Sequence, residues 1–292
     1  MIVNQNMVRS LTSKWSDIDT ALAFGTLTNF YIFEPPSDKW EEFQRGLDLI
    51  QSKLQLRNAN QAVLDWISQF RATFIMSSPD RTFALLETKI ASRDAFMEEE
   101  PNLLEKTLLA FRLFKEGGIF LNEIFTIGPG IDSEIKHLKH FEPLPNGTTH
   151  YELKFEEIEQ LTEILRKVQL IDFKHNHSIR IACDRFNKSY LNKYPEDKLI
   201  DLCIAFEVLF LLGEKQHSDL GMGQIIGLAC SMLIGENKTE RTTIFKLIEK
   251  GFGLRNKVVH GVHLNTNQIS QINKIIPNLE EYLRRSILRL IP

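Results

Sequence analysis

The second half of the chain is written in a helical rhythm. Apolar residues return every three or four positions through six successive runs, 157–170, 177–191, 196–212, 222–234, 240–260 and 270–290, with short polar breaks between them. That spacing gathers the apolar side chains of each run on one helix face, and helices joined by short connections predict a bundle. The run from 196 is apolar nearly all round and is predicted to lie at the centre. A further amphipathic helix is predicted over 103–115, where Leu104, Leu108, Phe111 and Leu113 sit among charges and Gly117-Gly118 ends the run.

The first part of the chain follows another pattern. Residues 21–33 are rich in Phe, Thr, Tyr and Ile and stop at Glu34-Pro35-Pro36, which predicts a strand. A helix is expected after Asp38, through Trp40, Phe43, Leu47, Ile50 and Leu54, and a second over 62–74. The chain reads as helix again from Arg81 to the acidic break Glu98-Glu99-Glu100-Pro101. Beyond it, 119–127 and 150–155 are predicted as the two arms of a small β insert, joined through Gly128-Pro129-Gly130 and Pro143-Leu144-Pro145-Asn146-Gly147. The expected fold class is mainly α: an N-terminal α+β region over 1–92, a helix plus hairpin-like insert over 93–155, and a helical bundle over 156–292.

Composition narrows the class of function only modestly. With 292 residues, 43% of them hydrophobic and a net charge of −3, the chain has no global attraction for nucleic acid. Its C-terminal part is locally basic, with Lys246, Lys250, Arg255, Lys257, Lys274, Arg284, Arg285 and Arg289 opposed by Glu249, Glu280 and Glu281. Such a region either attracts a phosphate backbone or forms ordinary solvated helix faces. Cys183, Cys203 and Cys230 lie far apart in apolar helical stretches, as free buried thiols of a reducing compartment do. The first fifteen residues lack the apolar core of a secretory signal, and the apolar run 199–212 is interrupted by Asp201 and Glu207, so a cytoplasmic chain with no membrane span is expected. His137, His140, His150, His175 and His177 match no ligand spacing, and phosphate-loop and dinucleotide glycine patterns are missing, so neither metal nor cofactor is expected.

The candidate chemistry sits at the end of the run 240–260, in Arg255-Asn256-Lys257-Val258-Val259-His260-Gly261. Gly261 supplies a helix stop. Asn256 and His260, four apart, share a helix face, whereas Arg255 and His260, five apart, point roughly 140° from each other at about 100° per residue. Their meeting on one ligand requires a cleft that straddles the helix end or the same helix from a second copy. Glu207 stands out in the most apolar run, where an unpaired carboxylate is costly. Arg255 is its expected partner, with Arg185 second; the alternative is that Glu207 emerges at a solvent gap.

Arg255-Asn256-x-x-x-His260 resembles the R-N-x3-H form of the R-x4-6-H motif of HEPN domains. The text from RFNKSYLNKYPEDKLIDLCIAFEVLFLLG through ERTTIFKLIEKGFGLRNKVVHG is similar to the Apea-like branch of that family. The resemblance lies in the order Arg185-Phe186-Asn187, then Pro195-Glu196-Asp197-Lys198-Leu199-Ile200-Asp201, then Ala205-Phe206-Glu207, then the motif and its glycine, with TLLAFRLFKEGGIF upstream. It covers about the last half of the chain and leaves roughly the first hundred residues unmatched.

The resemblance implies a HEPN-type helical bundle that forms homodimers, and an endoribonuclease that works without metal or cofactor. Carried over, His260 is the acid/base, Arg255 the phosphate clamp and Asn256 the orienting residue. Lys257 is a candidate substrate contact, and Glu207 and Arg185 are candidate supports for the arginine. The implied partners are RNA, a second copy, and an antitoxin or regulatory protein, in antiphage defence or a toxin role. Non-catalytic HEPN modules that bind RNA, nucleotide or protein are the alternative. Some HEPN toxins paired with nucleotidyltransferase antitoxins carry a modified tyrosine two positions after the histidine; Val262 stands there in this chain, so that mode of control is not expected.

Overall fold

The computed structural model describes residues 21–28, 30–32, 55–57, 84–90, 98, 103–127, 135–140, 151–154, 157–211 and 220–292. The helices expected after Asp38 and over 62–74 lie outside them. The described residues are mainly helical and form two compact units: those up to Phe111, with those from Gly117 to Leu165, make the first, and Arg112–Glu116 with Arg166–Pro292 make the second.

The first unit carries the strands β1 (Ala21–Thr28), β2 (Phe30–Ile32), β3 (Gln55–Arg57), β4 (Ala84–Ile90), β5 (Phe120–Ile127), β6 (Ile135–His140) and β7 (Tyr151–Leu153). Five of them make an antiparallel sheet in the order β3-β4-β1-β5-β6, and β2 pairs with β7 in parallel. The β-prone run at 21–33 supplies both β1, the middle of the larger sheet, and β2.

Two sequence expectations fail here. The segment after Arg81 was expected to be helical, and Ala84-Leu85-Leu86-Glu87 are good helix formers, yet they form β4. A ladder to β1 on one side and to β3 on the other outweighs local propensity. Likewise, the two expected arms of the insert do not pair with each other. β5 pairs with β1 on one side and with the next strand, β6, on the other, while β7 joins β2. Helix α1 (Leu103–Phe114) forms as its amphipathic pattern predicts, burying Leu104, Leu108 and Phe111. Tyr151 Oη donates to the Phe111 carbonyl at 2.9 Å, with the two rings edge to face at 5.6 Å.

The second unit holds the end of α2 (Ile158–Leu170) and then α3 (His177–Ser189), α4 (Pro195–Phe210), α5 (Met222–Ile234), α6 (Lys238–Val259) and α7 (Thr266–Leu290). Each falls within a few residues of its predicted run. Pro195 opens α4 at a position whose N–H needs no helical partner. Asn237 caps α6 by accepting from the Glu240 amide at 3.0 Å, and Asn265 and Gln268 cap α7 reciprocally at 2.9 and 3.0 Å. As its all-round apolar character predicts, α4 is central: it packs against α3, α5, α6 and α7, with Leu199, Leu202, Cys203, Ala205 and Phe206 buried.

α5 and α6 form a close antiparallel pair. A Cβ added at Gly223 would lie 2.7 Å from the Cβ of Phe252, and one at Gly227 would lie 3.0 Å from the Phe245 carbonyl oxygen. Glycine at these two places therefore sets the distance between the helices. α6 ends in a Schellman turn: Gly261 takes a φ of +70°, its amide donates to Val258 O at 3.0 Å, and the Val262 amide donates to Lys257 O at 2.9 Å.

Candidate functional site

The last two turns of α6 carry the sequence motif, and helical geometry divides it between two flanks. Arg255 lies on the flank that faces the bundle. Its Nη2 stands 3.1 Å from Oε1 of Glu207 on α4, each side chain about 20% exposed. Its Nη1 donates to the neighbouring Asn256 Oδ1 at 3.2 Å. Arg255, Glu207 and Asn256 are thus brought together, and the carboxylate that sequence reasoning found anomalous on an apolar helix has the partner expected for it. Burial pushes the Glu207 carboxyl above the usual carboxylate range, and the Arg255 charge opposes that shift without cancelling it. The Arg255 Nε is buried and has no hydrogen-bond partner among the described residues.

His260 occupies the other flank. It is the C-cap of α6: its amide donates to Asn256 O at 3.0 Å, and its imidazole is exposed with no hydrogen bond among the described residues. Lys257 is exposed too, and no ion pair holds it among those residues. No contact joins Arg255 to His260, as the roughly 140° between positions five apart on a helix requires. One copy of the motif therefore presents an anchored guanidinium on one side and a free imidazole on the other.

Arg185, the second candidate partner of Glu207, is engaged elsewhere. Its Nη1 donates to Asp201 Oδ1 at 2.9 Å, and Asn192 Nδ2 donates to Asp201 Oδ2 at 2.7 Å. In the sequence Asp201 interrupts an apolar run and closes the segment Pro195–Asp201 of the family resemblance, with no role assigned to it. Six residues before Glu207, it sits on another side of α4 and ties that helix to α3 and the loop after it.

A second polar group lies deeper. Arg112, in the last turn of α1, is buried; its Nη1 donates to both the carbonyl and the side-chain oxygen of Asn187 at 3.1 Å, and its guanidinium lies 4.6 Å from the centre of the Tyr190 ring. Arg284 of α7 donates through Nε to Arg112 O at 2.9 Å and through Nη2 to Tyr190 Oη at 3.3 Å, and Nη1 pairs with Glu281. Lys198 Nζ meets Glu280 at 2.6 Å beside the same ring. Burial pulls Arg112 down to about 10, against the opposing pull of Tyr190 and Glu280. The Tyr190 hydroxyl is pushed up to about 12, by burial first and then by Glu280. Sequence reasoning missed this cluster, although Asn187 and Lys198 lie within the segments that carry the family resemblance. The signal was a lone arginine in the apolar run LLAFRLF, which burial turns into a demand for several acceptors.

Among the described residues no group of three or more His, Cys, Asp or Glu side chains is placed to hold a metal ion, and no helix is long and apolar enough to cross a membrane. Comparison with protein-family models, curated proteins and solved structures gives no match to the chain.

Proposed function

We propose that the chain is a metal-independent endoribonuclease of the HEPN type, Apea-like branch, acting as a homodimer. The observation that carries this reading is the division of labour at the end of α6. Glu207 and Asn256 hold Arg255, while His260 stands exposed and unengaged at the helix stop. Arginine offers a planar set of donors to a phosphate, and histidine titrates near neutrality, so the pair has the means for cleavage by the RNA itself. In that reaction a base removes the proton of a ribose 2′-hydroxyl, and the oxygen attacks the adjacent phosphorus. The bond to the 5′-oxygen breaks as that oxygen takes up a proton, leaving a 2′,3′-cyclic phosphate and a 5′-hydroxyl. Fixed positive charge stabilises the crowded phosphorane between these steps.

Because the two groups lie on different flanks of one helix, a complete site joins Arg255 of one copy to His260 of another. Labelled RNA incubated with the purified chain in EDTA tests the reading: the parent is expected to give cyclic-phosphate ends, and His260→Ala and Arg255→Ala each to lose at least about 100-fold in rate. Mixing the two inactive variants is expected to restore part of the activity, as a shared site requires. Variants that cut as well as the parent would end the proposal.

One observation favours a second reading, a non-catalytic HEPN module that binds RNA, nucleotide or protein. All three guanidinium nitrogens of Arg255 already face internal partners or are buried: Nη2 lies on Glu207, Nη1 on Asn256, and Nε is buried. A parent that binds RNA but never cuts it supports that reading. A role in antiphage defence or as a toxin, with an antitoxin or regulatory partner, follows from the resemblance alone.

A further inference from the structure

We propose that the solvent face of α6 is a track for the phosphate backbone of single-stranded RNA, running from Lys246 to His260. This extends the ribonuclease reading by naming where its substrate lies outside the reacting bond. At about 100° per residue, Lys246, Lys250, Gly253, Lys257 and His260 fall within an arc of roughly 80° on the helix. All five are exposed, and none of the three lysines has an ion pair among the described residues. At about 1.5 Å per residue the stripe is about 21 Å long, room for several nucleotides of a single strand.

The acids of α6 do not neutralise it. Glu240 is held by Arg285 at 2.9 Å, away from the stripe. Glu249 lies at its edge on the side of α5, where Gln224 Nε2 donates to its carboxylate at 2.8 Å. Three unpaired cations in a row on an otherwise acidic protein favour a polyanion over an uncharged or acidic partner's mixed surface.

Gly253 gives the second, independent indication. Gly223 and Gly227 are glycine because a neighbouring helix leaves no room, whereas a Cβ at Gly253 would meet nothing within 4 Å among the described residues. Packing among the described residues does not explain a residue that weakens the middle of a helix. It leaves a notch in the stripe between Lys250 and Lys257, where a sugar-phosphate chain can lie directly on the helix. No exposed aromatic side chain of α6 shares this arc, so the track holds the backbone without stacking on bases and is indifferent to sequence.

The test is fluorescence anisotropy with a labelled fifteen-nucleotide RNA carrying 2′-O-methyl groups, which cannot be cut. Charge reversal of Lys246 and Lys250 together is expected to weaken binding at least tenfold at 0.1 M salt and to lower the salt-dependence slope by about 1.4, two phosphate contacts on a single strand. Gly253→Leu is expected to weaken binding at least fivefold while raising the melting temperature, a combination that damage to the fold does not produce. The track is overturned if the parent does not bind this RNA, if the lysine variant binds as tightly as the parent, or if duplex RNA or an acidic peptide of equal charge binds as tightly as the single strand. Failure of the nuclease reading looks different: uncut natural RNA that still binds through Lys246 and Lys250 leaves the track standing without catalysis.

Discussion

Two arginines in the same helical unit are used in opposite ways. Arg284, with its side chain 5% exposed, directs Nε, Nη1 and Nη2 each to an internal partner: the Arg112 carbonyl, Glu281 and the Tyr190 hydroxyl. Arg255, about 20% exposed, is tied on one edge by Glu207 and its own neighbour Asn256, and its Nε is unsatisfied among the described residues. A saturated guanidinium joins helices and has nothing left for a ligand. A guanidinium held at one edge is oriented without being used up. The count and burial of internal partners separate a guanidinium that the fold uses up from one that it only orients.

Stability measurements sharpen this contrast most directly. Arg284→Ala strips the Arg112 carbonyl and the Tyr190 hydroxyl of a donor and leaves a gap, at an expected cost of about 3–5 kcal/mol in urea denaturation. Arg255→Ala, at a more open ion pair, is expected to cost about 1 kcal/mol. Equal costs at the two sites would erase the distinction.

The glycines of the α5–α6 pair carry the comparison to the backbone. Gly223→Ala forces a Cβ against Phe252 and is expected to destabilise by about 1–3 kcal/mol. Gly253→Ala fills space left open by the described residues and is expected to stabilise by about 0.5–1 kcal/mol. Thermal melts of the two variants should move in opposite directions.

The smallest effect is that of pH on Glu207. Its carboxyl is raised in the folded chain, by burial against the opposing charge of Arg255. The folded state therefore holds this proton more tightly than the unfolded state, and the resulting stability is present below the ordinary glutamate range and is lost as pH rises through the raised value. Urea midpoints of the parent and of Glu207→Gln are expected to draw together toward acid and to shift in favour of the glutamine variant as pH rises through that window. A difference that moves the other way would mean that Arg255, not burial, governs Glu207.

The helices were legible because their information is local. Period, caps and stops place α1 and α3 to α7, and the Gly261 turn is visible as a glycine after the last apolar positions. The pairing of Glu207 with Arg255 was legible because a charge on an apolar helix must find a partner. Strand pairing was not: β4 carries helix-forming residues, and β1, which pairs with β5, and β2, which pairs with β7, lie far away in sequence, where no local pattern records them. The Arg112–Tyr190–Arg284 cluster was hidden for the same reason, since its members come from three distant helical segments.

The unbroken helix from Lys246 to the Schellman turn at Gly261 also keeps an angular record. Deleting one residue between Gly253 and His260 would shorten the chain by about 1.5 Å yet swing everything after the deletion by about 100° relative to the lysines before it. Substitution would be borne far more easily along this stretch than any change of length, because the phase between its cations and its imidazole survives the first and not the second.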